Sequence, residues 1–319
     1  MLVSLDILPK KATRTHEWAD FVEFHCIVTR DDEFTQSDLM RLIDSEKDFS
    51  VDSDDDNTEA SIKLDEHDEL IRKVEDVFNY LDARAGEYGE KYPFILSGNA
   101  KIISFKNGLT GEQRLYMFLL VCSNTRFLEK KRNSFTSRFE YVCFQVLKKI
   151  IPIGGECYLF GAATNQRYSG NIFNRVTQLT SDLNGVMVSD QDDFNPNATG
   201  DEGLDIVAWL PSGDDLGNRL VFFAQCACSM DAWKAKQKEA SYERQSKNIS
   251  FSAKNVNIMF VPFSNRKASG RFEIKPDMDV VFFDRYRIMH KSESCLGDIE
   301  LGDCDGLINK IIEFNRTIV

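Results

Sequence analysis

The residues with the clearest potential for chemistry lie on two short apolar runs separated by a polar turn. The first run, residues 204–209, follows a glycine-rich turn and carries one carboxylate, Asp205. The second run, residues 220–228, carries Gln225. Two apolar runs around a turn predict two neighbouring strands. Burying an unpaired carboxylate in a strand is costly, so we expect Asp205 to lie near other polar groups, a cation or solvent. Asp205 is the first candidate for chemistry.

These runs resemble the active-site motifs of the PD-(D/E)XK nuclease superfamily, in its restriction-endonuclease, Mrr-like branch. That branch reads G-D-x-G-[IL]-D on one strand and Q-x-K on the next. Residues 200–205 read Gly-Asp-Glu-Gly-Leu-Asp, and Gln225 matches the glutamine. Ala227 stands where the lysine is expected. The branch also has a helix carrying Phe-Glu ahead of the strands, which residues 139–140 match; in order of elements the resemblance covers residues 134–287.

The resemblance implies a Mg²⁺-dependent or Mn²⁺-dependent DNA endonuclease, with a role in bacterial restriction or anti-phage defence. Hard cations prefer oxygen ligands, and such ions stabilise the charge that develops when a phosphodiester is hydrolysed. The implied metal ligands are the carboxylates of Asp205 and Glu140, the amide oxygen of Gln225 and the backbone carbonyl of Cys226. Glu140 is in register with an apolar helical stripe, so we expect it at the edge of a buried face.

The missing lysine needs a substitute if the chain is catalytic. A helix predicted over residues 230–247 follows the second strand, and its first turns carry Lys234 and Lys236. Lys236 shares a helix face with Trp233 at spacing i, i+3. If Trp233 packs inward as an anchor, Lys236 is drawn toward Asp205 and Lys234 points to solvent or DNA. Lys236 is therefore the candidate for a displaced catalytic lysine.

The net charge of −12 argues at first against a nucleic-acid partner. Residues 44–69, however, hold twelve acidic residues and two lysines, a net charge of −10, so the net charge of the rest of the chain is about −2. Residues 230–275 hold ten basic and four acidic residues, a net of +6. We interpret this basic segment as a surface that contacts DNA phosphates. Its candidate contacts are Lys234, Lys238, Arg244 and Lys247.

Two other functions stay open on the sequence. An inactive nuclease fold, lacking the lysine, would bind DNA or scaffold a complex, and an RNA-directed nuclease would carry the same motifs. The chain has no G-x-S-x-G, P-loop or H-E-x-x-H signature. Since nucleases of this kind often act with a sensor or ATPase subunit, such a protein partner is expected. The sequence does not predict an oligomeric state.

Hydrophobic periodicity predicts an α/β fold in two parts. Residues 1–130 form an α+β region for regulation or partner docking, with an acidic loop at 44–69, and residues 131–319 form the nuclease-like domain, a mixed sheet flanked by helices. The predicted strands are residues 18–29, 92–96, 101–105, 157–161, 256–263 and 280–285, besides the two central runs. The predicted helices are residues 35–44, 64–85, 110–128, 134–150, 171–183, 230–247 and 307–314. Residues 48–59 are predicted to be a disordered or loosely held loop.

The composition is typical of a soluble protein, with 42% hydrophobic and 28% charged residues. The longest apolar runs fall short of the roughly 18 residues that a membrane span needs. Eight cysteines without a dense framework, and no signal peptide at the start, are typical of a reducing cytoplasm.

Overall fold

The computed structural model describes residues 8–9, 14–28, 33–47, 59–161, 167–194, 202–217, 219–272 and 278–313. The loop predicted over residues 48–59 lies outside the described residues, except that Glu59 begins a helix. The chain divides into two compact units. The first comprises Met1–Lys131, Asn265–Glu273 and Asp305–Val319, and the second comprises Arg132–Ser264 and Ile274–Cys304.

The first unit combines long helices with a small antiparallel sheet. Its helices are α1 (Thr15–Val28), α2 (Gln36–Lys47), α3 (Glu59–Tyr88) and α4 (Gly111–Ser123). Its strands are β1 (Glu33–Thr35), β2 (Phe94–Ser97) and β3 (Ile102–Phe105), in the order β1-β3-β2. The predictions for α2, α3, β2 and β3 are confirmed in type and approximate position. The helix predicted over residues 110–128 is present as α4 but ends at Ser123, before a separate 3-10 turn at Thr125–Phe127. Reciprocal capping bonds begin two of the helices, between Thr35 and Asp38 and between Thr110 and Gln113.

The strand predicted over residues 18–29 is wrong, because this segment is helix α1. From Trp18 to Val28 every residue is buried, including the carboxylates Asp20 and Glu23. A helix buried on all sides has no polar face, so the 3.6-residue period that identifies an amphipathic helix is absent. The alternation of Phe21, Phe24, Cys26 and Val28 is therefore misleading.

The second unit is built on a five-stranded mixed sheet. Its strands are β4 (Glu156–Leu159), β6 (Ile206–Leu210), β7 (Leu220–Cys226), β9 (Val256–Phe260) and β10 (Val281–Phe283), in the order β10-β9-β7-β6-β4. β4, β6 and β7 are antiparallel neighbours, whereas β9 runs parallel to β7 and β10 parallel to β9. A separate pair is formed by β5 (Val186–Met187) and β8 (Ile249–Ser250), which the sequence did not predict.

Helices cover both faces of this sheet, so the predicted mixed α/β architecture is confirmed at that level. Helix α5 (Arg132–Ile150) packs against β4, β6 and β7, and its Cys143 contacts Cys226. Helix α6 (Ile172–Asp182) shares a hydrophobic cluster with Phe223. Residues three apart on a strand point to opposite faces, so the two helices lie on opposite sides.

The single helix predicted over residues 230–247 is wrong. Two one-turn helices stand there instead, α7 (Trp233–Lys236) and α8 (Tyr242–Gln245). The side chain of Gln245 donates to the backbone carbonyl of Glu239, at 2.8 Å, and to that of Glu202, at 2.9 Å. These tertiary bonds favour a folded-back chain over a continuous helix.

The last two helices of the described residues are α9 (Arg285–Ser292) and α10 (Asp303–Ile312). The strand predicted over residues 280–285 is shorter than expected because Asp284 caps α9, accepting the backbone N–H of Arg287 at 3.1 Å. Among the described residues, no helix combines the length and apolar character needed to cross a membrane.

Candidate functional site

Asp205 lies at the junction of three strands, directly before β6. Its backbone N–H donates to the carbonyl of Ala224 at 3.0 Å, and its carbonyl accepts the N–H of Phe160 at 2.8 Å. Its carboxylate oxygen Oδ2 accepts the backbone N–H of Cys226 at 2.6 Å. The residue is 3% exposed. Asp205 thus ties the ends of β4 and β7 together, and its carboxylate lies inside the unit rather than in solvent.

Gln225 lies beside this junction, near the end of β7, and is 3% exposed. Its side-chain oxygen Oε1 is buried, and none of the described residues donates a hydrogen bond to it. A buried acceptor without a donor costs about 1–3 kcal/mol, so such an atom calls for a ligand or another explanation. The next residue on the same face, Ala227, is 2% exposed and carries no charge.

Glu140 approaches the same region from helix α5. It is half-buried, and its Oε2 lies 3.4 Å from the place that a Cβ at Gly161 would occupy. Burial raises the pKa of the Cys143 and Cys226 thiols, which hydrogen-bond each other, and the negative charges of Asp205 and Glu140 raise both pKa values further. The structure therefore brings both predicted carboxylates close to one pair of thiols.

The oxygen atoms of the three predicted ligands, Asp205, Glu140 and Gln225, would suit a hard divalent cation better than a soft one. Two carboxylates and an unsatisfied amide oxygen are the oxygen ligands that Mg²⁺ or Mn²⁺ prefers. The raised pKa values of the thiols keep Cys143 and Cys226 protonated, which disfavours thiolate ligation. Within the described ranges, no three His, Cys, Asp or Glu side chains converge as a metal site. A cation here would depend on Gln225 and backbone oxygens besides the two carboxylates.

The predicted inward packing of Trp233 is confirmed, and no hydrogen bond or ion pair between Lys236 and Asp205 is found among the described residues. Trp233 is 2% exposed, and its ring centroid lies 5.1 Å from that of Phe282 and 6.4 Å from that of Phe263. Phe282 belongs to β10, and strands β9 and β7 lie between β10 and β6. At ordinary strand spacing, β10 and β6 are therefore about 14 Å apart. Lys236 is half-buried, and its amine forms no ion pair or hydrogen bond with any described residue.

The side chains predicted to contact DNA are all exposed to solvent. They extend from the two short helices and the turns beside them rather than from one helix face: Lys234, Lys238, Arg244 and Lys247. Lys254, in the same basic segment, pairs with Glu243 at 3.1 Å. The four cations are therefore accessible to a polyanion, on a segment that also exposes Asp231 and Glu243.

The glycine motif before Asp205 has a steric reason. Gly203 has a φ of +77°, and a Cβ there would lie 2.5 Å from the Cβ of Glu239. Gln245 bonds the carbonyls on both sides of this contact, those of Glu202 and Glu239. Glycine is needed because the turn that leads to Asp205 is clamped directly against the chain between α7 and α8.

One charged residue near the site was missed by sequence reasoning. Arg175, on α6, is 1% exposed, and its Nη1 donates to the carbonyl of Phe160 at 3.3 Å. It lies three residues after Ile172 and four before Leu179, both of which belong to the buried cluster. That spacing places an arginine on the apolar face of the helix. The position of an arginine on an apolar helix face could have identified Arg175 from the sequence.

Comparison of the chain with known protein families, with curated proteins and with solved structures finds no match in any of the three. The site must therefore be interpreted from its own geometry.

Proposed function

We propose that the chain is a metal-dependent endonuclease that hydrolyses phosphodiester bonds in DNA. The observation that carries the proposal is the buried carboxylate of Asp205 at the strand junction, beside the buried and unsatisfied Oε1 of Gln225. The element order also supports it. Helix α5, the antiparallel β4, β6 and β7, and then β9 parallel to β7 follow the order of the PD-(D/E)XK core that the motifs resemble.

Each site residue has a role in this proposal. Asp205, Glu140, Gln225 and the carbonyl of Cys226 would hold Mg²⁺ or Mn²⁺, which when bound neutralises phosphate charge and activates water. The backbone N–H of Cys226 fixes one carboxylate oxygen of Asp205, so that carboxylate is oriented before any ligand arrives. Lys236 stays a hypothesis for the lysine function.

The exposed cations Lys234, Lys238, Arg244 and Lys247 would hold the DNA backbone, because phosphate contacts supply most of the sequence-independent affinity. Restriction or anti-phage defence, together with a separate sensor or ATPase subunit, is the biological role that the proposal implies. The acidic residues between 44 and 69 belong to the part of the chain assigned to regulation.

A second candidate function is an inactive nuclease fold that binds DNA or scaffolds a complex. Two observations favour it. Ala227 occupies the position of the family lysine and is buried, and the Lys236 amine has no contact with Asp205 among the described residues. This candidate predicts DNA binding without cleavage in any cation.

The test is incubation of the purified chain with supercoiled plasmid, linear DNA and RNA, in Mg²⁺, in Mn²⁺ and in EDTA. The proposal predicts that DNA is cut in at least one of the cations and stays intact in EDTA. Binding without cleavage favours the inactive fold, and cleavage of RNA alone assigns the other substrate. Cleavage that persists in EDTA contradicts the metal-dependent site.

A further inference from the structure

One buried side chain joins helix α8 to the turn that leads to Asp205. Gln245, the last residue of α8, is 2% exposed. Its Nε2 donates to the carbonyl of Glu202 at 2.9 Å and to the carbonyl of Glu239 at 2.8 Å. An amide nitrogen carries two hydrogens, and these two bonds use both of them. Gln245 therefore bonds the turn before Asp205 and the chain before α8 at the same time.

The turn does not hold its shape through local preference. Glu202 has a φ of +52° and Gly203 a φ of +77°, so two consecutive residues are left-handed. That region is disfavoured for a residue with a Cβ, such as glutamate. Such a conformation persists where the surrounding structure holds it. The bond from Gln245 to the carbonyl of Glu202 is a contact of this kind.

Helix α8 also depends on contacts outside itself. It has four residues, and a single helical turn is not stable alone. Its first residue, Tyr242, packs on Phe251 with the ring centroids 5.1 Å apart. Two of the exposed cations proposed to contact DNA, Arg244 and Lys247, lie directly beside Gln245 in the sequence or two residues after it. The attachment of these cations to the turn therefore runs through Gln245.

We infer that Gln245 is a positioning residue, which sets the location of the α8 cations relative to the Asp205 carboxylate. Asp205 is held by backbone bonds to Ala224 and Phe160 and by the N–H of Cys226, so we expect its carboxylate to stay in place without Gln245. Gln245 fixes where a DNA phosphate held at α8 lies relative to that carboxylate. A misplacement of about 1 Å lowers a rate by about 100-fold. This catalytic consequence rests on the proposed nuclease function, whereas the attachment of α8 to the turn does not.

Amide hydrogen exchange in the full chain, measured by NMR, tests the attachment without reference to cleavage. The reporters are the backbone N–H groups of residues 245, 246 and 248, which donate to carbonyls within residues 241–245. In Gln245→Met we expect these amides to exchange about tenfold faster or more. The amide of Asp205, bonded to Ala224, should keep its wild-type rate. Unchanged exchange at the reporters, or equal acceleration at Asp205, overturns the inference.

The matched control is Asn257→Leu. The Nδ2 of Asn257, on β9, donates to the carbonyl of Gln237 at 2.8 Å, so this amide ties the same basic segment to the sheet at a point before α8. We expect Asn257→Leu to leave exchange at the three reporters within about threefold of the wild-type rate. If the control loosens α8 as much as Gln245→Met does, the effect is a general loss of packing and the inference fails.

The cleavage assay separates positioning from binding. Gln245→Met should lower kcat by about 100-fold with KM changed by less than about threefold, because the exposed cations remain. Asn257→Leu should keep kcat within about threefold of the wild type. All rates are compared at a temperature at which circular dichroism shows the variants folded. A raised KM with unchanged kcat in Gln245→Met overturns the positioning role.

A second variant serves if Gln245→Met does not fold. Gln245→Asn keeps a buried amide, but its side chain is one methylene shorter, which draws the nitrogen back from the two carbonyls. We expect the same faster exchange at α8 and the same loss of kcat. Wild-type exchange and wild-type kcat in a folded Gln245→Asn variant contradict the inference.

The outcomes for the two proposals are distinct. A wild-type chain that cuts no nucleic acid contradicts the nuclease function, while hydrogen exchange still decides whether Gln245 holds α8 to the turn. Loss of cleavage in Asp205→Asn together with full cleavage in Gln245→Met overturns the inference and leaves the nuclease function standing.

Discussion

The polar side chains around Asp205 differ in how their hydrogen bonds are satisfied. The carboxylate of Asp205 accepts a backbone N–H, and Arg175 donates to a backbone carbonyl. Gln225 presents a buried oxygen to which no described residue donates. A group of this kind lowers stability, and proteins retain such groups where function needs them. Gln225 is therefore the residue at which stability and activity should oppose each other.

Replacement of Gln225 by methionine tests that opposition. Gln225→Met removes the unsatisfied oxygen and keeps the side-chain volume, so the free energy of unfolding should stay within about 0.5 kcal/mol or rise by about 1 kcal/mol. Metal-dependent cleavage should fall sharply. The control is Gln245→Met, which leaves the carbonyls of Glu202 and Glu239 without their donor and should cost about 1–3 kcal/mol. A Gln225→Met variant as unstable as the control would show that Oε1 has a donor.

At the scale of elements, a buried ionic network joins helices α1, α3 and α4. Arg84 Nη1 contacts Asp20 Oδ1 at 2.8 Å and Glu23 Oε1 at 2.7 Å, and the hydroxyls of Tyr92 and Tyr116 also donate to Glu23. Burial lowers the pKa of Arg84, but the negative charges of Glu23 and Asp20 outweigh that effect and hold this pKa well above its usual value. One arginine thus offsets two buried carboxylates.

Arg84→Met should therefore destabilise the first unit strongly. The substitution removes the cation that contacts both buried carboxylates, a change that costs about 3–5 kcal/mol in comparable networks. Arg72→Met is the control on the same helix, where the side chain is exposed and the change should stay within about 0.5 kcal/mol. Urea unfolding curves of the two variants would decide. Similar midpoints for both would contradict a stabilising role for the network.

The turn before Asp205 gives a second prediction at this scale. Gly203→Ala forces a Cβ to within 2.5 Å of Glu239 Cβ, in a backbone conformation with φ of +77°. Gly213→Ala is the matched control, since its φ is +82° and nothing lies within 4 Å of the added carbon. We expect the control to cost about 1–2 kcal/mol from the left-handed backbone alone. Gly203→Ala should cost about 1–3 kcal/mol more, because the clamped turn cannot relax.

The measurement for this pair is the difference in unfolding free energy between the two alanine variants. Equal losses would mean that the close approach of Gly203 and Glu239 contributes nothing. In that case the glycine would be explained by its backbone conformation alone.

The elements predicted from sequence are those whose local signals agree with their packing. Helix α5 has a one-sided apolar stripe, and α2 has the Thr35–Asp38 capping pair. The prediction for α1 fails because that helix is buried on all sides, and the prediction for residues 230–247 fails because contacts distant in sequence interrupt the helix. Neither burial on all sides nor contacts distant in sequence can be predicted from a local sequence pattern.

The difference between local patterns and contacts distant in sequence also explains which site residues could be predicted. Asp205 and Gln225 stand out because each is a polar residue in an apolar run of the sequence, which is a local feature. Arg175 shows in the sequence only as an arginine on the apolar face of its helix, whereas its contact with Phe160 depends on how α6 packs on the sheet. The displaced-lysine hypothesis assumes one continuous helix over residues 230–247. The structure keeps the helical turn that carries Lys236, but the helix is broken between α7 and α8, so the later lysines do not lie on the predicted helix.

At the scale of the whole molecule, charge is strongly segregated along the chain. The net charge is −12, yet residues 230–275 carry a net of +6, and seven of their basic side chains are exposed among the described residues. A protein can therefore be acidic in total and still present a basic surface to a polyanion.

This segregation predicts how salt affects DNA binding. Replacing Lys234, Lys238, Arg244 and Lys247 by alanine should weaken binding on all sequences alike. The slope of log K against log salt should fall by about 0.9 for each phosphate that the variant no longer neutralises. A charge-matched control replaces four exposed cations of the first unit by alanine: Arg72, Lys101, Lys130 and Lys131. Equal changes of slope in the two quadruple variants would contradict a defined DNA-binding surface.

The central claim is that Asp205 is the carboxylate on which metal-dependent DNA cleavage depends, and one paired measurement tests it most directly. Initial rates of plasmid cleavage are compared for the wild-type chain and Asp205→Asn, in Mg²⁺ and in Mn²⁺, with circular dichroism confirming that both are folded. We predict cleavage by the wild type that EDTA abolishes, and a loss of about 100-fold or more in Asp205→Asn with both ions. A folded Asp205→Asn variant that cuts DNA at the wild-type rate would contradict the account.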